Sequence, residues 1–231
     1  MNIKANLHFH TKEDPEDRIA YTFLEGLARA KELGFDALAL TCHNKLFDTP
    51  SFRRAAEEQH ILFIPGIERT IEKAHVVILN PDPSIESVAT FRELTAYRHA
   101  HPDIFILAPH PYFPGGFSLQ EKLEEHIGLF DAIEHSWFYS HFYNRNTKAA
   151  RIARRYHKPL VATSDTHDIR FLAQDYAVID AEEKTIPSLF DALRKGRFEN
   201  RTSPKSFLRD MAGYLIGREF AGGAKKPHFH S

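Results

Sequence analysis

Ile3-Lys4-Ala5-Asn6-Leu7-His8-Phe9-His10 alternates apolar and polar residues, with Ile3, Ala5, Leu7 and Phe9 on one face and Lys4, Asn6, His8 and His10 on the other. Such a period of two defines a β-strand, and residues two apart on a strand share a face. The strand therefore ends by aiming two imidazoles at one point. A later apolar run, residues 160–163, ends in Ser164-Asp165-Thr166-His167, where a carboxylate and an imidazole have the same spacing. Two such pairs at strand ends suggest one metal site, since imidazole and carboxylate together suit hard-to-borderline divalent ions.

Between these ends the chain alternates strand and helix patterns. Thr22-Phe23-Leu24-Glu25 has the form of a capping box, with Phe23, Leu27 and Ala30 at helical spacing and Gly34 as a stop. Further strands are read at 35–41, 61–64, 75–79, 104–108, 130–133, 160–163 and 176–179, and helices at 52–59, up to about Arg98, at 146–157 and at 186–195. Pro65-Gly66 reads as a turn leading to Glu68, and Asn80-Pro81-Asp82-Pro83 as a break. This rhythm implies mostly parallel β/α units, closed into a barrel or left open, and we favour the barrel. In both architectures ligands bind at the carboxyl ends of the strands.

The 231 residues contain no Gly/Ser/Pro-rich linker, so a single domain over 1–219 is expected, followed by a mobile tail over 220–231. That tail repeats the opening tripeptide as His228-Phe229-His230, but after a Gly-rich stretch rather than a strand. A net charge of −1 argues against bulk binding of nucleic acid. The single cysteine, Cys42, excludes an intramolecular disulfide. The opening residues lack the basic-then-apolar pattern of a signal peptide, so a cytoplasmic location is expected. No apolar run approaches the roughly 18–20 residues that span a bilayer, so no membrane partner is expected.

Histidine, with 15 residues, is the compositional outlier, and several follow apolar segments directly. Taken singly each has an ordinary alternative. His43 reads as a turn or helix-capping residue, Glu68 as a solvated carboxylate, and His75 as a satisfied core histidine. His110, between Pro109 and Pro111, reads as a rigid loop residue, and Asp165 with His167 as a turn cap. Together they stand at the ends or starts of six strands, for which a multinuclear metal centre is the simplest explanation.

In this order the motifs resemble the polymerase and histidinol phosphatase (PHP) family from about Lys4 to Arg197. His8-Phe9-His10-Thr11 resembles the first motif and Ala39-Leu40-Thr41-Cys42-His43-Asn44 the second. Pro65-Gly66-Ile67-Glu68 is similar to the segment with a bridging glutamate. His75, His110 before Pro111, and Ser164-Asp165-Thr166-His167 complete the set. The resemblance implies a distorted (β/α)7, TIM-barrel-like α/β fold holding up to three divalent ions of zinc, manganese or iron. Carried over by position, His8, His10, Glu68 and Asp165 hold the first ion. Glu68 bridges to a second, completed by His75 and His110, and His43 and His167 take the third with one loop acid.

The chain departs from the family at that acid. Where the family has Ser-Asp-Gly, this sequence has Lys12-Glu13-Asp14-Pro15-Glu16-Asp17; Asp17 is nearest the family position and Asp14 is the fallback. Cys42 replaces a common aspartate, and strand alternation sends it to the face opposite His43, so it reads as core, with recruitment of its thiolate by a borderline metal as the alternative.

The activity expected is a metal-dependent phosphoesterase that hydrolyses a small phosphate monoester, a phosphorylated metabolite, by a metal-bridged hydroxide near Glu68 and Asp165. Lys45, Arg69 and Arg145 are near enough in sequence to motif residues to contact its phosphate, and each reads equally as a solvated base. His135 and His141 are candidates to protonate a leaving group or shape the pocket. Two rival readings stand beside this: a phosphodiesterase or amidohydrolase-like hydrolase, and a PHP module without catalysis. Oligomeric state is not legible in the sequence.

Overall fold

Thr22 caps the first helix reciprocally: its hydroxyl accepts from Glu25 N and the Glu25 carboxylate accepts from Thr22 N. Thr90 and Glu93 repeat the device before a later helix. These local signals sit inside a computed structural model that describes residues 1–205. In chain order the elements are β1 (Asn2–Phe9), α1 (Phe23–Glu32), β2 (Ala37–Leu40), α2 (Pro50–Glu58), β3 (Leu62–Ile71), β4 (Ala74–Leu79), α3 (Phe91–Ala100) and β5 (Phe105–Ala108). They continue as α4 (Lys122–Glu125), β6 (Ala132–His135), α5 (Asn146–Arg155), β7 (Leu160–Ala162), β8 (Tyr176–Asp180), α6 (Ile186–Arg194) and β9 (Phe198–Arg201). The expected tail 220–231, with His228-Phe229-His230, lies outside the described residues, as do residues 206–219. No described helix is long and apolar enough to cross a membrane.

The strands form one sheet in the order β7-β6-β5-β4-β3-β2-β1-β8-β9. It curls into a nearly closed barrel: Asn200 on β9 accepts from Ala162 N and donates to Leu160 O, each at 2.8 Å, and a backbone bridge joins Phe9 to Thr166. The fold is the distorted TIM-barrel-like α/β fold expected, and the distortion is specific. The described sheet has nine strands rather than seven. Half of its neighbouring pairs are antiparallel: β3 with β4, β4 with β5, β1 with β8, and β8 with β9. The sequence rhythm missed this because hairpin-linked β3 and β4 carry no helix between them, and a turn at Glu72 and Lys73, both at positive φ, replaces the expected crossover.

The expected turn at Pro65-Gly66 is a strand interior. There β3 changes partner, from β2 through Pro65 to β4 from Gly66 onward. The missing N–H of proline is tolerated at such a transition. Gly66 is required by proximity, because a Cβ there would lie 2.9–3.1 Å from Leu79, Thr41 and the Leu40 carbonyl.

Three apolar clusters fill the molecule. Inside the barrel, Ile3, Ala5 and Leu7 meet small residues such as Ala37, Ala39 and Ala132, and α6 contributes Leu189, Phe190 and Leu193. Leu38 and Leu40 alternate outward to pack with Phe23 and Leu27 of α1. Ile106 and Ile133 pack outward with Phe91, Leu94 and Ile152. Each fully buried large side chain contributes on the order of 1.5–3 kcal/mol.

One irregularity decides where the site falls. Between Asn6 and Phe9 the register of β1 against β2 shifts: Asn6 lies opposite Leu38 but Phe9 lies opposite Leu40, so β1 carries one extra residue. Leu7 still packs inside, whereas Phe9, expected on the same face, packs outside with α1. A bulge of this kind re-aims side chains. Here it turns His8 and His10 toward the barrel mouth while preserving their common direction.

Candidate metal centre at the barrel mouth

Glu68, from the middle of β3, is buried at the centre of five imidazoles. Its Oε2 lies 3.2 Å from His8 Nε2, 3.2 Å from His10 Nε2 and 3.1 Å from His43 Nε2. Its Oε1 lies 2.9 Å from His75 Nδ1 and 3.0 Å from His110 Nε2. One carboxylate thus divides the histidines between its two oxygens. Asp165 closes the first group, with Oδ1 at 3.5 Å from His8 Nε2 and 3.4 Å from His10 Nε2. His167 Nε2 meets Asp17 Oδ2 at 2.8 Å, and the same oxygen lies 3.7 Å from His43 Nδ1.

The donor atoms fall into three groups close enough to share an ion: His8, His10, Glu68 and Asp165; His43, Glu68 and His75; and His10, His43 and His167. Within the first, His8 Nε2, His10 Nε2 and Asp165 Oδ1 are buried and make no hydrogen bond, although they crowd one carboxylate. Buried polar atoms are rarely left so, and their convergence fits a divalent cation, whose ligands are neutral imidazole and carboxylate.

Outer groups hold the ring orientations. His8 Nδ1 pairs with Glu134 Oε1 at 2.9 Å, and Glu134 also accepts from the Thr163 hydroxyl and the His110 backbone N–H. Asp14 Oδ2 accepts from His10 Nδ1 at 3.0 Å, and from His43 N and Nδ1 at 2.8 and 2.9 Å. Carboxylates on the far nitrogen fix the tautomer and leave the other nitrogen free to bind. The Tyr21 hydroxyl ties the two strand ends together by donating to His10 O and Thr166 O at 2.7 and 3.0 Å.

The site also contains backbone strain. His110 and Asp165 have φ of 27° and 44°, and Asn44, next to His43, has φ of 52°. Non-glycine residues in this region cost about 1–3 kcal/mol and concentrate at functional sites.

Charge is concentrated without solvent. Burial opposes the charged form of His10, but the neighbouring carboxylates of Asp14, Asp165 and Glu68 more than offset this and raise its pKa to about 9. For His43, burial is likewise outweighed by Glu68 and Asp14, and the pKa rises to about 11. Burial pushes the Glu68 and Asp165 carboxyls up, yet the surrounding histidines hold both well below the usual carboxylate range. Burial pushes the Cys42 thiol up to about 12. Cys42 is fully buried among the outer cluster, beside Thr11.

The sequence-derived residues divide cleanly. His8, His10, His43, Glu68, His75, His110, Asp165, His167 and Asp17 come together, and Asp14 lies directly behind His10 and His43. Lys45 and Arg69 do not join them: Lys45 pairs with Glu86 at 3.0 Å, and Arg69 donates to Val88 O at 2.7 Å and to Asn44 Oδ1. Both bases brace the loop around Asn44. Arg145 lines a shallow cleft beside the mouth with His110, Tyr112, Phe113, Ser136 and Phe138. His135 packs edge-on against Tyr139, and His141 is exposed. Sequence reasoning missed Tyr21, Thr163 and the indole of Trp137, which donates to Asp165 Oδ2 at 3.2 Å. Trp137 is the only tryptophan in the chain. Its place two residues after a strand-end histidine was the one available signal.

A distorted β/α barrel whose mouth is lined by histidines and carboxylates defines the class. Residues 144–198 match a family described as PHP-associated. A PolC-type DNA polymerase III from Thermotoga maritima is 41% identical over 90 residues, which are 38% of this chain and 6% of the polymerase. The chain thus corresponds to a small part of that relative. A two-domain protein from Bacteroides vulgatus, containing a predicted PHP-like metal-dependent phosphoesterase, superimposes with a TM-score of 0.64 at 19% identity, covering 87% of this chain and 65% of that one. The lesion-specific endonuclease Q of Pyrococcus furiosus gives 0.65 at 16% identity, covering 87% and 58%. In these two segments the chain is similar to PHP-domain proteins, and its fold is that of a PHP-like metal-dependent phosphoesterase domain.

Proposed function

We propose that this chain is a metal-dependent phosphoesterase that hydrolyses a small phosphate monoester. The observation that carries the reading is the division of five histidines between the two oxygens of buried Glu68, with unpartnered nitrogens of His8 and His10 turned to the same side as Asp165 Oδ1. His8, His10, Glu68 and Asp165 would hold one ion, Glu68, His75 and His110 a second, and His43, His167 and Asp17 a third. When bound, zinc, manganese or iron in these places would supply Lewis acidity toward phosphoryl oxygens and acidify water.

The chain's own groups do the rest. Glu68 and Asp165 set the charge at the reacting centre, Glu134 and Asp14 keep the imidazoles in register, and Arg145 offers a cation to an anionic group in the cleft beside His110. Phe117 stacks on His75 at 4.8 Å and is 55% exposed, so it presents an apolar wall where a leaving group would emerge. The expected result is hydrolysis of p-nitrophenyl phosphate and of one or more phosphorylated metabolites, abolished by chelator and by His8→Ala. Full activity after metal removal would overturn the reading.

A second reading is phosphodiester hydrolysis on nucleic acid, favoured by the likeness to endonuclease Q and to a DNA polymerase. A panel of matched monoesters and diesters separates the two. Cleavage confined to the diesters selects the second.

A further inference from the structure

Trp137 touches both a buried lysine and a carboxylate of the candidate metal centre. Its Nε1 donates to Asp165 Oδ2, while Asp165 Oδ1 faces His8 and His10. The indole therefore fixes which carboxylate oxygen turns inward. Such fixing is needed, because Asp165 sits at positive φ, where the backbone alone gives a non-glycine residue little support.

Over the face of the ring, Lys205 Nζ lies 5.5 Å from the indole centroid and 5.1 Å from that of Phe171, within range of a cation–π contact. Lys205 is 4% exposed and pairs with buried Asp175 at 3.6 Å. Its backbone N–H donates to Tyr139 O at 2.8 Å, and Ser203 N donates to Asp175 Oδ1 at 3.3 Å. The segment after β9 is thus pinned both to the loop that carries Trp137 and to the start of β8. Burying an ammonium is costly unless it is compensated, and here Asp175 and the faces of two aromatic rings surround it. A cation against the indole also makes its N–H a stronger donor.

We propose that Lys205 is a positioning residue for the metal centre: through the Trp137 indole it holds Asp165 with one oxygen facing His8 and His10. This rests on the metal-centre reading above. It goes beyond that reading by tying ligand geometry to a residue 40 positions downstream of Asp165.

The test uses the full chain, stripped of metal and titrated with Zn²⁺ or Mn²⁺ against a chromophoric chelator, with thermal melting measured alongside. Trp137 fluorescence should change as wild type takes up metal. Lys205→Met should bind about tenfold more weakly, the lower end of what loss of an outer partner costs a metal site. Lys205→Arg should restore the affinity. Trp137→Phe, which keeps a ring but deletes the N–H, should match Lys205→Met, and the double variant should be no weaker than either. A Lys205→Met protein that melts earlier but binds metal as wild type does would overturn the proposal, as would additive losses. If Lys205→Met does not fold, unchanged affinity in Trp137→Phe overturns it alone. Failure of wild type to bind either ion would sink the metal-centre reading as well, which distinguishes the two failures.

Discussion

Asp14 and His10 form a fully buried pair: Asp14 Oδ2 accepts from His10 Nδ1 at 3.0 Å, which leaves Nε2 facing Glu68 at 3.2 Å. The same oxygen also holds the ring and backbone of His43. Asp17, by contrast, is partly exposed and touches His167 directly. The two loop acids therefore have different work, and substitution separates them. Asp14→Asn should weaken metal binding about 10–100-fold by loosening two imidazoles at once. Asp17→Asn should lower the number of ions bound at saturation and leave the tightest site nearly unchanged. Calorimetric titration with metal quantification checks both, and the reverse pattern would exchange their roles.

Glu134 collects three buried donors, from His8, Thr163 and the His110 backbone. Glu134→Ala strands all three in a dry interior, where each unpaired group costs about 1–3 kcal/mol. The variant is expected to lose about 3–5 kcal/mol of stability, the range for breaking a buried charged contact. Urea denaturation of the metal-free protein measures this, and a loss below about 1 kcal/mol would show that Glu134 is replaceable by water.

The metal-free protein should have an unusual pH profile. His10 and His43 titrate near 9 and 11, above their ordinary 6.5, because burial is outweighed by carboxylate partners. A raised pKa means stability fully present below pH 6.5 and lost as pH rises through the folded values. Glu68 and Asp165 have depressed pKa values, so their share is present above the ordinary carboxylate range and lost in acid. Melting temperature should therefore be highest between roughly pH 5 and 6.5 and fall steadily toward pH 9 and beyond. Metal affinity should move the opposite way, rising over the same window, because ligating imidazoles must be neutral. A melting temperature that climbs from pH 6.5 to 9 without metal would contradict the ion-paired cluster.

Much of the centre was legible because the candidate ligands fall at strand ends, where period-two spacing already states which side chains share a direction. His8 with His10 is the clearest case, and it survives the bulge between Asn6 and Phe9 that sends Phe9 outward, since both imidazoles still face Glu68. What stayed hidden depends on distant contact. Nothing local distinguishes Lys45 and Arg69, which brace a loop, from Arg145, which lines the cleft. Pro65-Gly66 carries the composition of a turn, and only its position between two partner strands makes it strand interior. The antiparallel pairs were hidden for the same reason, since pairing direction is a property of the sheet and not of any one strand.

Closure of the barrel rests on two links: the Phe9–Thr166 bridge, where His10 N donates to Thr166 O at 3.2 Å, and Asn200. The Asn200 side chain takes the place of a strand-to-strand ladder, accepting from Ala162 N and donating to Leu160 O across the gap between β9 and β7. Asn200→Ala removes both bonds and leaves a donor and an acceptor at a partly buried seam, for an expected loss of about 2–4 kcal/mol. Asn200→Asp keeps the acceptor for Ala162 N but replaces the donated bond by repulsion between a carboxylate and the Leu160 carbonyl, so it should lose at least as much as that bond contributes. Because β7 runs directly into Thr163 and Asp165, opening this seam should also reach the metal centre. Asn200→Ala is therefore expected to weaken metal binding several-fold, even under conditions where it remains fully folded. Equal affinity in folded Asn200→Ala and wild type would mean that the seam stabilises the barrel without governing the geometry of its mouth.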